Sequence, residues 1–181
     1  MAWFGRKGRD ADPPSEDESG SWGEDAGAAS AAAGSKLVAG EDLLEPVVEP
    51  LGSDERRRIS DGLEALAAEG VDVDDLASIG AGLDAAYRAW RAAEQSSSAA
   101  DDHAAIVERY AIGIGEYLDR HTDLDWQVVT DVFGTDLALT EGFRGAFVVV
   151  PHNLVAGRWM RGETGWVPAV VGHMVNRRSR R

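Results

Sequence analysis

The sequence predicts an α+β fold: three helices, then a three-stranded antiparallel meander, then two C-terminal helices, with a disordered N-terminal tail in front. Three observations carry this. Apolar residues recur at helical spacing from Ser53 to Leu118. Short runs rich in Val, Leu, Phe and Trp fill Trp126 to Val150. Turn glycines Gly134, Gly142 and Gly145 separate those runs, and Pro151 closes the last one. Connections this short join antiparallel neighbours, because a parallel pair needs a crossover of about a dozen residues or more.

The tail is recognised by composition. Residues 1–52 hold four basic and eleven acidic residues, a net of −7, and residues 53–181 carry the same −7 over more than twice the length. Pro13-Pro14, a Ser/Glu/Asp/Gly run and the low-complexity stretch from Ala26 to Gly34 offer too little apolar surface to offset the entropy of ordering. Trp3, Phe4 and Trp22 are stranded there and read as part of a solvated leader or, more sharply, as a docking peptide. Leu43-Leu44 and Val47-Val48 flank Pro46 and are expected to lie extended against the folded domain, residues 53–181.

Ser53 with Asp54 and Glu55 is a helix start, since a hydroxyl caps free N–H groups and acids suit the positive end of the dipole. Ile59, Leu63 and Leu66 share one face, and Gly70 ends the helix. A second start is expected at Asp72, with Leu76, Ile79, Leu83, Tyr87 and Trp90 as the buried stripe. After Ser96-Ser97-Ser98, Asp101 or Asp102 caps a third helix carrying Ile106, Tyr110, Ile114, Tyr117 and Leu118. Gly113 and Gly115 each cost this helix ~1 kcal/mol relative to Ala, which implies a close approach to the sheet.

The strands are expected at Trp126 to Thr130, Thr135 to Thr140 and Ala146 to Val150. Alternation puts Trp126, Val128 and Thr130 on one face and Gln127, Val129 and Asp131 on the other. The second face is apolar enough that the closing helices, or a second subunit, are expected to cover part of it. Pro151 then opens a helix with Leu154, Val155 and Trp159, ended by Gly162. Thr164 is read as the cap of a last helix from Trp166 to Met174 and beyond.

Much chemistry is excluded by residues the chain lacks. There is no Cys, so disulfides, thiol nucleophiles and thiolate metal sites are out. Lys7 and Lys36 are the two lysines, both in the tail, which leaves the folded part without a Schiff-base or phosphate-loop lysine. No serine lies in a G-x-S-x-G turn. His103, His121, His152 and His173 show no i, i+4 pairing, so neither a metal site nor a cofactor is expected. His121 reads as a cation at a helix C-terminus.

The segments GEYL, HT, W, VVTD, GTDLAL, VVVPHNLVAGRW and GETGWVPAVV resemble a family of uncharacterised bacterial proteins, frequent in actinobacteria and classed as a domain of unknown function. The resemblance spans roughly Ala105 to Val175. It implies no activity, cofactor or site residue.

Two candidate sites remain. His152 follows the strand-ending Pro151, and Asp131, Asp136 and Glu163 are carboxylates that could join it in an acid/base pair or a hydrolytic metal site; Asp131 and Asp136 suit hairpin turns better. The other is electrostatic. From Gly142 to Arg181 there are seven arginines and one acid, a net of +6, and Arg158, Arg161, Arg177 and Arg178 are its binding candidates. This basic end could meet the acidic tail or, when released, bind an acidic partner or nucleic acid.

The overall charge of −14 disfavours nucleic acid. No membrane span or signal peptide is legible, and a cytoplasmic location is expected. The reading is a non-catalytic binding or protein-interaction module, with a hydrolase using His152 and Asp131/Asp136 as the alternative.

Overall fold

A computed structural model of the chain describes residues 46–96, 102–132, 134–142 and 147–178. The expected leader through residue 45 lies outside these, with Trp3, Phe4, Trp22 and Leu43-Leu44. So do Ser97, Ser98, Asp101, Arg144, Gly145, Ala146, Arg180 and Arg181.

Among the described residues the order is β1 (Val47–Pro50), α1 (Ser53–Ala68), α2 (Leu76–Gln95), α3 (His103–His121), β2 (Asp125–Asp131), β3 (Gly134–Thr140), β4 (Val148–Val149), α4 (Pro151–Arg161) and α5 (Val167–Arg178). The class is α+β, as expected. The sheet has four strands instead of three, in the order β1-β2-β3-β4, each pair antiparallel. The extra strand is Val47–Pro50, which pairs Val48 with Val129 and Glu49 with Val128. Composition groups this segment with the tail, while Val47-Val48 lie extended against the domain as expected. Two prolines and a Glu hide its pattern, yet the open edge of β2 satisfies its backbone.

Helix starts are corrected in detail. Gly52, not Ser53, occupies the cap position of α1 and makes no side-chain cap bond. Helix α2 begins at Leu76, because Asp75 is its cap and accepts from the Ala77 N–H at 2.8 Å. Asp72 instead accepts from the Asp74 N–H at 2.9 Å, a local turn that delays the helix. Asp102 caps α3 through the Ala104 N–H. Helix α5 starts at Val167, leaving Thr164 outside its first turn. Gly70 and Gly162 both take positive φ just past helix ends. At each, the next amide (Val71 or Glu163) reaches back to Leu66 or Arg158, as a Schellman ending requires.

Helix α3 is the spine. Ile106, Val107, Tyr110, Ala111, Ile112, Ile114 and Leu118 are all buried, so more of its circumference is enclosed than one stripe. Strand residues Trp126, Leu137, Leu139 and Val149 join its core cluster, and so do Val155 and Trp159 of α4 and Val167 and Val171 of α5. The closing helices therefore build the Trp126 side, not the second face as expected. Val129 and Ala138 on that second face are buried outside this cluster.

The two helical glycines have separate partners. A Cβ on Gly115 would overlap the Trp126 ring and press on Pro151, whereas a Cβ on Gly113 would meet Leu66 Cδ1 of α1 at 2.6 Å. Only Gly115 thus answers to the sheet. Gly115→Ala is expected to lose about 1–3 kcal/mol by overpacking despite its better helix propensity. Gly157→Ala, whose Cβ would meet Arg161 Nη1 at 3.5 Å, should gain up to about 1 kcal/mol. Urea unfolding of the two variants checks this; equal stability would contradict the close approach.

Candidate functional site

His152 occupies the first turn of α4, where Pro151 is pre-set for helix entry and packs near Gly115. Its Nδ1 lies 3.1 Å from Glu108 Oε2. An ionised carboxylate only accepts, so Nδ1 carries the proton of this bond. The other Glu108 oxygen accepts from Arg58 Nε of α1 at 2.5 Å. Three segments about fifty residues apart in the chain thus converge on one carboxylate whose side chain is 25 % exposed.

Burial pushes the Glu108 carboxyl up, but the hydrogen bonds and charges of Arg58 and His152 outweigh it and hold the group below the ordinary carboxylate range. Glu108 and Arg58 were not singled out from sequence. Glu108 sits on α3 two turns before Gly115, on the same face, but its charge made it look like a solvated position.

The crevice here is lined by Arg58, Glu108, Trp126, Asp136 and His152, among others, and encloses about 10 Å³. That is room for roughly one water. Trp126 Nε1 is buried with no acceptor among the described residues. Asp136 shares the crevice with His152 and acts electrostatically on Arg58. Asp131 is not among its lining residues; it ends β2, opposite Gly134. Glu163 follows α4 at the end away from His152, roughly 16 Å along the axis for eleven residues. There Arg161 bonds it at 2.6 Å, Arg158 Nε lies 3.7 Å away, and the carboxyl is held low by Arg161 first. The four sequence candidates therefore divide, with His152 and Asp136 together and Asp131 and Glu163 elsewhere.

The remaining histidines are dispersed. His121 stacks on Tyr117 at 4.1 Å and its Nδ1 lies 2.8 Å from the Tyr117 carbonyl. His103 stands 5.8 Å from the Trp90 ring. His173 lines a separate cavity with Phe147 and Met174. No group of three or more His, Asp or Glu among the described residues is placed to hold a metal ion.

Roomier surfaces surround Phe147 and Met174. One cavity of about 500 Å³ is lined by Phe147, His173, Met174, Arg177 and Arg178. A second, about 480 Å³, runs between Phe147–Val150 and the α4 residues Leu154, Gly157, Arg158 and Arg161. They share Phe147 and Met174. All four arginine candidates line them, and no carboxylate does.

The arginines are less free than a count of +6 implied. Arg178 pairs with Glu141 at 3.0 Å and Asp123 at 3.5 Å and stacks over Phe147. Arg158 stacks over Trp166 and shares Glu163 with Arg161. Arg177 has no ion pair among the described residues. Two of the neutralising acids lie before Gly142 in the chain, so the C-terminal count missed them.

A family model described as a domain of unknown function, DUF3806, matches residues 86–169. It runs from within α2 to the start of α5 and includes Glu108, Asp136, His152 and the β4 and α4 walls of the groove, but not Arg58 or the α5 lining residues His173, Met174, Arg177 and Arg178. No curated protein and no solved structure matches the chain.

A carboxyl held low stabilises the fold above its unfolded pKa, and that contribution is lost as pH falls through its folded value. Glu108→Gln should therefore be less stable than the parent near pH 7, and the gap should close as pH falls below about 4. Urea titrations across this range check it; a gap independent of pH would show that the charge of Glu108 contributes nothing.

Proposed function

We propose that this domain is a non-catalytic binding module of the cytoplasm that takes a protein partner in the groove between β4, α4 and α5. One observation carries the reading: the cavities at Phe147 and Met174 measure about 500 and 480 Å³ and are lined by arginines, apolar side chains, His173 and Asn153, whereas the crevice that His152 and Asp136 share measures about 10 Å³. A substrate needs hundreds of Å³, and a peptide-binding face needs apolar contact with a charged margin. Exposed Val148 adds to that face.

The hydrolase alternative, His152 with Asp131 and Asp136, is favoured by the crevice that His152 and Asp136 share. Against it stand the crevice's size and the engagement of His152 Nδ1 and Arg58 with Glu108. Charge alone would let the acidic leader compete for the same arginines. The membrane is not part of the reading: among the described residues no helix is long and apolar enough to cross one.

A photo-crosslinking residue at Val148, in the groove, is expected to trap a discrete protein adduct in cells, and one at Val132, which is 61 % exposed beside the β2–β3 turn, is not. His152→Ala should leave the Val148 adduct intact. Adducts of equal yield at both positions, or loss of the adduct in His152→Ala without loss of fold, would overturn the proposal.

A further inference from the structure

We infer that the partner binds as an added β-strand along the free edge of β4, and that the segment it contributes alternates apolar and acidic residues. This rests on the groove being the docking surface.

Among the described residues strand β4 is last in the sheet and pairs with β3 alone, through Leu139–Val149 and Thr140–Val148. Its other edge faces the groove whose wall is formed by the successive residues Phe147–Val150, with α4 opposite. A strand edge facing a helix across a trough has the geometry for backbone pairing by an extended peptide, whose alternate side chains then point into and out of the trough. Gly157 keeps the α4 wall low, since a Cβ there would have only Arg161 Nη1 within 4 Å.

Side-chain chemistry selects the occupant. Phe147, Leu154 and Met174 offer an apolar floor, and Arg158, Arg161 and Arg177 line the two cavities with no carboxylate among the lining residues. Arg161 is 59 % exposed and shares its single acid with Arg158, so a second carboxylate can be accepted there. An alternating apolar and acidic strand satisfies both features at once; a basic one would place like charges together.

The test uses the full chain and a fluorescent short peptide that alternates Val or Phe with Asp or Glu. Anisotropy should show saturable binding that falls by about tenfold or more with Gly157→Leu, while the melting temperature of that variant is at least retained. N-methylation of alternate peptide amides should abolish binding, a Lys-bearing control should not bind, and salt raised from about 0.05 to about 0.5 M should weaken it. Unchanged binding by the N-methylated peptide overturns strand addition and leaves the groove reading standing. Absence of peptide binding while the Val148 adduct still depends on Gly157 overturns the acidic partner alone. Loss of that dependence as well overturns both readings. Sedimentation showing a dimer that Gly157→Leu dissolves would assign the edge to a second copy. Peptide binding seen only after Glu16, Asp17, Glu18, Glu24 and Asp25 are changed to amides would assign it to the leader. Either result overturns the proposal.

Discussion

Helix α3 can lie against the sheet because Gly115 carries no side chain where the Trp126 ring arrives. Pro151 reaches the same point, so a single contact brings together the spine helix, the second strand and the entrance to α4. The placement of His152 follows, one residue beyond Pro151, and with it the meeting with Glu108 two turns back along α3. Close packing of an aromatic ring on a helix backbone transmits position more rigidly than flexible side chains do. The charged cluster is therefore a product of the packing.

Much of the ion pairing among the described residues crosses between elements distant in the chain. Glu108 draws its partners from α1 and α4, Arg120 reaches Asp74 and Glu116, and Arg178 is met by Asp123 and Glu141. Most of these pairs are solvent-exposed enough that each contributes little by itself. At the C-terminal end the pairing of Arg178 with Asp123 and Glu141 removes positive charge and leaves Arg161 and Arg177 as the more available cations.

The fold was legible where periodicity and turn chemistry agreed. Gly70, Gly162 and Pro151 mark boundaries by backbone constraints that no neighbour can override, and the alternation of Trp126, Val128 and Val129 is set by the pleat itself. Starts were less legible at Ser53 and Asp72, where several polar residues compete for one cap and the winner depends on local turns such as that of Asp72 with Asp74. Val47-Val48 were legible as an extended stretch against the domain, but not as a strand of the sheet, because four residues beside prolines have no period of their own. The site was legible at His152 and Asp136, but Glu108 and Arg58 carry the charged face of helices whose partners arrive from far along the chain. Asp131 and Glu163 failed to join them for the same reason: sequence distance says little about which end of a helix or strand a residue reaches.

The two margins of the sheet are unlike. On β1, Pro50 has no N–H to give and Glu49 is exposed and charged, whereas β4 presents valines beside an open trough. A ribbon that can be lengthened on one flank but is blunted on the other cannot propagate copy upon copy. On the proposed strand addition, the β4 margin takes the guest and the β1 margin offers no comparable edge from which a further copy could continue.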